Sequence, residues 1–177
     1  FPETYHFSKF TPETKIIRTM VDTFKEQISN AQLMQSAKES PLSWHEIITL
    51  ASLIEKETGL DSERKMISSV FHNRLRKNMR LQTDPTVIYA IEQFDGNIRK
   101  RDLKIDSPYN TYRYKGLPPG PIASPGIKSI VAAMSPIESD KLYFVSRQNG
   151  SHHFSSTLTE HNQAVQKYQL RKVNSRR

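Results

Sequence analysis

Residues 11–91 carry four stretches in which apolar side chains recur at three- and four-residue spacing, the period of a helix with one buried face. Each stretch opens with residues that favour a helix N-terminus. These start signals are Thr11 before Pro12, the capping-box pair Ser43 and Glu46, Asp61 or Ser62, and Asp84 before Pro85. The first half of the chain is therefore predicted to be helical.

The second half of the chain contains one clear strand signal. Residues 141–147 (KLYFVSR) and 151–156 (SHHFSS) flank Asn149-Gly150, a pair that supplies the positive φ angles of a tight hairpin turn. Further helices should begin at Ser124-Pro125 and at Thr157 or Thr159. We therefore predict an α+β fold: a mainly helical single domain with a small β-hairpin or sheet element.

Between the helical half and the hairpin lies a loop rich in tyrosine, proline and glycine. Residues 116–126 hold four of the ten prolines and three of the six glycines, and residues 109–114 (YNTYRY) place three tyrosines among amide and hydroxyl groups. A stiffened loop of this length is often functional, and aromatic faces beside polar groups suit sugars or bases. We expect the loop to line a groove, the alternative being a rigid connector whose tyrosines pack on the core.

Composition narrows the class of protein. The 177 residues suit one domain, expected at 1–170 and followed by a basic tail at 171–177. The absence of cysteine excludes disulfide scaffolds, zinc ribbons, iron–sulfur clusters and cysteine nucleophiles. No apolar run approaches the ~20 residues of a membrane span. Because the chain opens on Phe1, we expect an excised piece whose anchoring segment is absent.

The net charge and the motifs point in different directions. The 26 Lys and Arg against 18 Asp and Glu give a formal charge of +8, which is compatible with an anionic polymer such as nucleic acid. However, the basic residues are scattered over all predicted helices and no nucleic-acid motif is present, so no nucleic-acid partner is expected. Phosphate loops, dinucleotide fingerprints, nucleophile elbows and metal-ligand spacings are also missing, and we expect neither a metal nor a cofactor.

Two glutamates near the end of the second predicted helix are candidates for acid–base chemistry. At ~100° per residue, Glu55 and Glu57 project on different flanks of the apolar stripe, and Glu57 falls between Leu50 and Leu53. A carboxyl among aliphatic side chains has a raised pKa and can act as a general acid. This geometry favours Glu57 over Glu55 only slightly, and a solvated boundary residue is the alternative for either.

Several blocks of the sequence resemble one family over nearly the whole chain, from Phe1 to about Tyr168. The blocks are 51–58 (ASLIEKET), Glu63-Arg64, 70–89 (VFHNRLRKNMRLQTDPTVIY), 107–126 (SPYNTYRYKGLPPGPIASPG), 142–145 (LYFV) and 153–162 (HFSSTLTEHN). Together they resemble the endolytic murein transglycosylases of bacteria. The blocks are long and compositionally unusual, so the resemblance is specific.

The resemblance implies a lytic transglycosylase, a carbon–oxygen lyase that cuts β-1,4 bonds between N-acetylmuramic acid and N-acetylglucosamine within glycan strands and leaves 1,6-anhydromuramyl ends. It assigns the catalytic role to Glu57, the second glutamate of Glu-Lys-Glu. It also implies peptidoglycan strands as substrate, coordination with peptidoglycan synthases, and a location on the extracytoplasmic, periplasmic face of the inner membrane. Contact with the membrane would be only through an N-terminal anchor that is absent from this chain.

The chemistry asks for polar groups around the reacting sugar, because positive charge builds there in the transition state. The candidates for substrate binding are Asn73, Gln82, Asp84, Tyr109, Asn110, Tyr112 and Glu63. Helix capping is the alternative role for Glu63 and Asp84, and we expect it in particular for Asp84. If either carboxylate lay about 6.5–9.5 Å from Glu57, a water-using muramidase would be possible instead. A non-catalytic module that binds an anionic polymer is the other alternative.

Overall fold

The computed structural model describes residues 1–29 and 31–170, and it confirms the mainly helical α+β fold. The described part contains seven α-helices and one two-stranded antiparallel sheet. The elements are α1 (Glu13–Ile28), α2 (Ala31–Glu39), α3 (Trp44–Glu57), α4 (Asp61–Arg76), α5 (Asp84–Ala90), α6 (Ile127–Met134), β1 (Tyr143–Ser146), β2 (His152–Ser155) and α7 (Leu158–Val165). A π-helical turn, Gln166–Leu170, continues α7. The expected basic tail at 171–177 lies outside the described residues.

Helix α3 forms the centre of the core. Its residues 47 and 49–54 are all buried, and it packs against α6 and α4. The largest buried apolar side chains include Ile47, Leu53, Phe71 and Ile130. The broad apolar surface of α3 is stable only when it is buried, which explains why other elements pack against it. The helix runs out of the core at its C-terminus, so its last residue, Glu57, lies at a groove.

The first helix is much less covered than α3. No residue of α1 is fully buried, and Ile17, Met20 and Val21 remain substantially exposed. Helix α2 follows it and was not anticipated from the sequence. Within residues 1–29 and 31–170, no helix has both the length and the apolar character needed to cross a bilayer.

The structure corrects several predicted helix starts. The capping boxes of α3 (Ser43 with Glu46) and α7 (Thr157 with Glu160) are confirmed. The other predicted caps are wrong: α1 begins after Pro12, α4 begins at Asp61 after Leu60, α5 begins at Asp84 after Thr83, and α6 begins after Gly126. In each of these four the N-cap side chain makes no capping bond. Pro12, Leu60 and Gly126 have no side-chain acceptor, and the Thr83 hydroxyl bonds to Glu57 instead.

The hairpin is confirmed, but its turn differs from the prediction. Tyr143 pairs with Ser155 and Ser146 with His152, and the connection runs through residues 147–151. Positive φ angles occur at Gln148 (64°) and Gly150 (85°), not at Asn149, so the loop is longer than a two-residue Asn-Gly turn. Asn149 instead accepts hydrogen bonds from the backbone and hydroxyl of Ser151.

The proline- and glycine-rich loop is bound along one face of α3. His45 Nε2 lies 2.7 Å from the carbonyl of Pro119, the Ser52 hydroxyl accepts the backbone N–H of Ile122 at 3.0 Å, and Glu55 accepts that of Gly126 at 3.1 Å. These three α3 residues are seven and three positions apart, a spacing that places them on one side of the helix. Hydrogen bonds therefore hold the loop in an ordered conformation along α3.

Candidate functional site

An open groove of about 440 Å³ lies beside the C-terminus of α3. Its lining comes from α3, α4, the segment that enters α5, the tyrosine-rich loop, the hairpin and α7. The lining residues are Glu57, Arg74, Leu81, Gln82, Asp84, Tyr112, Tyr143, Phe144, Val145, Ser146, His152, Leu158, His161, Val165 and Gln169. Of the residues predicted for the site, this groove brings together Glu57, Gln82, Asp84 and Tyr112.

Glu57 is the last residue of α3, and its half-buried carboxyl faces the groove. The hydroxyl of Thr83 donates a hydrogen bond to Oε1 of Glu57. Burial is the main reason that the pKa of Glu57 is raised, to about 7, and the negative charge of Asp84 adds to the effect. The Thr83 hydrogen bond and the positive charge of Arg74 oppose it. Glu57 therefore exchanges its proton near neutral pH.

Glu55 has a different environment, although it lies only two residues away on the same helix. Its Oε2 accepts hydrogen bonds from the Ser129 hydroxyl at 2.7 Å, the Gly126 backbone at 3.1 Å and Arg64 at 3.4 Å. These donors stabilise a carboxylate, and they join α3 to the end of the proline-rich loop and to α6. Glu55 does not line the groove, so the structure separates the two glutamates that sequence geometry distinguished only slightly.

Thr83 is itself fixed by a network of buried threonines. Its backbone N–H donates to Thr111 Oγ1 at 3.1 Å, and its carbonyl accepts the Thr86 hydroxyl at 2.7 Å. The hydroxyls of Thr86 and Thr111 lie 2.8 Å apart. In addition, Gln82 takes up a positive φ of 51° and donates its N–H to the carbonyl of Thr111. The network sets the position from which Thr83 reaches Glu57.

Asp84 and Tyr112 form a second polar pair in the groove. The Tyr112 hydroxyl donates to Asp84 Oδ1 at 2.5 Å. Burial and the neighbouring Asp84 carboxylate raise the pKa of Tyr112, so its hydroxyl stays protonated. Asp84 is the first residue of α5, and this hydrogen bond rather than a helix cap is the contact that its side chain makes.

Arg74 enters the groove from α4 and is 8% exposed. Its guanidinium lies 5.2 Å from the ring centre of Tyr143, and burial lowers its pKa. The His161 ring also stacks on Tyr143, with 5.2 Å between ring centres. Burial and the charge of Arg74 lower the pKa of His161, so the imidazole is neutral at neutral pH.

The remaining predicted site residues lie away from the groove lining. Asn73 is buried and donates to the carbonyls of Ser139 and Lys141. Asn110 is fully buried and donates to the carbonyls of Leu103 and Ile105, so it shapes the loop.

Two further predicted residues also have partners within the protein. Tyr109 packs on Tyr89, with 4.8 Å between ring centres. Glu63 accepts the backbone N–H of His152 at 2.8 Å and lies 2.7 Å from its Nδ1, which attaches the hairpin to α4. Glu63 thus holds a groove residue in place without lining the groove itself.

Sequence reasoning missed Thr83, Tyr143 and His161. For Arg74 it left open a pairing with substrate carboxylates or with neighbouring acids, with surface solvation as the default. A signal for Thr83 was its position directly before Asp84-Pro85, at the start of a helix. Nothing local predicts that its hydroxyl turns to α3 rather than capping α5. In the part of the chain that the structure describes, no group of three or more acidic or histidine side chains could hold a metal ion.

The fold and the groove define a class of protein: a mainly helical α+β domain that presents one carboxyl of raised pKa in an open groove. A family model described as the YceG-like family matches residues 1–167. The chain belongs to the YceG-like family.

Relatives with names and structures agree with that membership. The chain is 45% identical to an endolytic murein transglycosylase of Bacillus subtilis (strain 168), over 95% of this chain and 46% of the relative. It is 33% identical to one of Streptococcus pneumoniae serotype 2, over 98% of this chain and 32% of the relative. A crystal structure of a YceG-like protein of Listeria monocytogenes superposes with a TM-score of 0.83 at 44% identity, covering 92% of this chain and 52% of that one. The chain thus spans about half or less of these relatives.

Proposed function

We propose that this domain is an endolytic peptidoglycan lytic transglycosylase and that Glu57 is its catalytic residue. The observation that carries the proposal is one groove carboxyl whose pKa is raised to about 7, beside a second glutamate that is fully engaged elsewhere. The names of the Bacillus and Streptococcus relatives support the same activity. The substrate is then a glycan strand, and the bond cut joins N-acetylmuramic acid to N-acetylglucosamine.

A single carboxyl is sufficient for this reaction. Protonated Glu57 gives its proton to the glycosidic oxygen as the bond from that oxygen to C1 of the muramyl residue breaks. The Glu57 carboxylate then accepts the proton of the muramyl C6 hydroxyl, whose oxygen bonds to C1. The products are a free hydroxyl on the leaving sugar and a 1,6-anhydromuramyl end. No water is consumed, and Glu57 regains its proton.

The groove offers groups that fit each stage of this cycle. With a pKa near 7, a large fraction of Glu57 is protonated at neutral pH and can act as an acid. The carboxylate formed next is basic enough to accept a proton. The positive charge of Arg74 favours the carboxylate formed after the first proton transfer. Asp84, held by Tyr112, provides negative charge for the positively charged sugar, and Gln82 is a further binding candidate.

The proposed substrate also indicates where the domain acts and which proteins it works with. Peptidoglycan lies outside the cytoplasm, so the domain would act at the extracytoplasmic, periplasmic face of the cell membrane. Coordination with peptidoglycan synthases is part of the proposal. The formal charge of +8 would aid encounter with a polymer that bears lactyl and stem-peptide carboxylates.

The test compares two variants with the same chemical change on the same helix. Glu57→Gln should abolish release of anhydromuropeptides from purified glycan strands. Glu55→Gln should retain release, because Glu55 does not line the groove. Circular dichroism and thermal unfolding confirm that each variant is folded. Undiminished release by Glu57→Gln contradicts the proposal, and absence of release by the unmodified domain favours a binding module.

A water-using muramidase is the second candidate, because Asp84 lines the same groove as Glu57 and its charge reaches it. In that reaction Asp84 would activate a water molecule. Its product carries a reducing end and is about 18 Da heavier than the anhydro product. Product masses therefore separate the two reactions.

A further inference from the structure

Arg74 is a buried cation without an acidic partner in the described residues. Its side chain forms no salt bridge there, whereas Arg64, which is similarly buried on the same helix, pairs with both Glu55 and Asp61. A buried charge without a salt-bridge partner is costly, so a protein retains one where a ligand or a reaction supplies the opposite charge. Arg74 lines the groove that holds Glu57.

The guanidinium of Arg74 is held rigidly by backbone carbonyls. Its Nε donates to Leu142 at 2.6 Å, and its Nη1 donates to Leu81 at 2.7 Å and to Arg80 at 3.2 Å. The Tyr143 ring covers the group as well. Its Nη2 has no hydrogen-bond partner within residues 1–29 and 31–170. Arg74 therefore presents a fixed donor that is not used inside the domain.

The neighbouring side chain on the lining has an unused group too. Nδ1 of His161 is buried and has no hydrogen-bond partner among the described residues. In addition, Glu57 is largely protonated when it begins the reaction, so it leaves Arg74 without a full counter-charge. The groove beside Tyr143 thus combines positive charge with hydrogen-bonding capacity.

We propose that Arg74 forms a carboxylate subsite, with His161 beside it, that binds the acidic substituent on O3 of a muramyl residue. The subsite rests on the proposed function, because it takes the same glycan strand. A carboxylate suits a guanidinium better than a neutral hydroxyl does, since hydrogen bonds between two charged groups are stronger. In strands without peptides this carboxylate is the lactyl group, and in substituted strands it belongs to the stem peptide.

The test measures binding by calorimetry in the Glu57→Gln background, which prevents turnover. The ligands are an N-acetylglucosamine oligomer without carboxylates, a peptide-free muramyl oligosaccharide, the same oligosaccharide with its lactyl carboxyl amidated, and a peptide-substituted one. Binding of each ligand is measured to the Glu57→Gln domain, called the parent, and to the parent with Arg74→Gln or Arg80→Gln added. Arg80 is an exposed arginine outside the groove lining, so its variant controls for the loss of one charge.

We expect Arg74→Gln to weaken binding of a carboxylate-bearing ligand by about tenfold or more and to leave the N-acetylglucosamine oligomer within about twofold. Arg80→Gln should change neither. Amidation of the lactyl group should weaken binding to the parent but not to Arg74→Gln if the lactyl carboxylate is the ligand. A loss confined to the peptide-substituted strand assigns the stem peptide instead.

Two outcomes with Arg74→Gln overturn the subsite. One is an equal loss for all ligands in Arg74→Gln, which marks a structural role. The other is unchanged binding of both carboxylate-bearing ligands. Amidating the ligand needs no change at Arg74, so an unfolded Arg74→Gln does not prevent the test. Equal affinity of the parent for the amidated and free lactyl forms, with no preference for the peptide-substituted strand, also overturns the subsite. If the parent binds no muramyl ligand at all, the proposed function fails together with the subsite.

Discussion

Glu55 and Glu57 are identical side chains on one helix, and their surroundings give them opposite properties. Three donors surround Oε2 of Glu55, whereas Glu57 accepts a hydrogen bond from Thr83 and is otherwise desolvated. Chemical function at the scale of one residue therefore depends on hydrogen-bond donors that come from distant parts of the chain. The surroundings of Glu57 should therefore affect both the stability of the domain and its activity.

The raised pKa of Glu57 makes stability depend on pH. Its pKa is about 7 in the folded domain and near 4.5 in the unfolded chain, so between these values the folded state binds more protons. The contribution of Glu57 to the free energy of unfolding therefore falls as pH rises from about 4.5 to 7.

Glu57→Gln should remove this penalty and stabilise the domain at pH 8 relative to pH 4 by at most about 3 kcal/mol. Urea unfolding of both proteins at the two pH values measures the difference. A variant that gains no more at pH 8 than at pH 4 contradicts the raised pKa.

Thr83 should act as a positioning residue for Glu57. Its hydroxyl donates to Oε1, which leaves Oε2 as the oxygen that carries the transferable proton. Thr83→Val keeps the shape and removes the donor, so the pKa of Glu57 should rise further. Activity at neutral pH should nevertheless fall by about 10-fold or more, because the carboxyl is no longer held in position. The alkaline limb of the profile of kcat/KM against pH should move to higher pH.

Two further variants separate this role from a structural one. Thr83→Ser keeps the hydroxyl and should restore the alkaline limb to its original pH. Thr86→Val disturbs the same threonine network without a bond to Glu57, so it should lower stability and leave the limb in place. An alkaline limb that is the same in Thr83→Val and the unmodified domain would refute the positioning role.

At the scale of elements, α3 combines three tasks. Its apolar residues form the core, its C-terminus places Glu57 in the groove, and one polar side binds the proline-rich loop. The tyrosine-rich part of the loop is organised by Asn110, which has its amide bonded to two carbonyls and its oxygen bonded to the N–H of Tyr112. Asn110 thereby positions Tyr112 without reaching the groove itself.

Asn110→Ala should therefore act through stability rather than through contact with substrate. Loss of three buried hydrogen bonds should lower the free energy of unfolding by about 2–4 kcal/mol. Denaturant unfolding measures this change, with Asn149→Ala in the exposed hairpin turn as the control for the same substitution. A change below about 1 kcal/mol would show that Asn110 is not structural.

At the scale of the whole molecule, the sequence predicted what local patterns control. The apolar stripes of α3 and α4, the capping boxes of Ser43 and Thr157, and the hairpin were all evident in it. The contacts of Thr83 with Glu57 and of Arg74 with Leu142 were not, because each partner lies on another element and only the packed fold brings them together. Residues predicted by chemical type alone, such as Asn73, turned out to have backbone partners.

The net charge of the molecule indicates a substrate class only when it is considered together with the groove. A formal +8 was compatible with any anionic polymer. The groove adds an acid of raised pKa and a buried arginine that has no salt bridge to any residue the structure describes. These groups fit a reaction on a carboxylate-bearing glycan in which the nucleophile belongs to the substrate. In such a reaction no oxygen atom from water enters the product.

The most direct test is digestion of defined glycan strands in water enriched in heavy oxygen, followed by mass spectrometry of the new ends. A lytic transglycosylase should give anhydromuramyl ends that contain no heavy oxygen and that disappear with Glu57→Gln. Reducing ends that are about 18 Da heavier than the anhydro form, plus the added mass of the heavy oxygen, would instead demonstrate hydrolysis and contradict the lyase reaction.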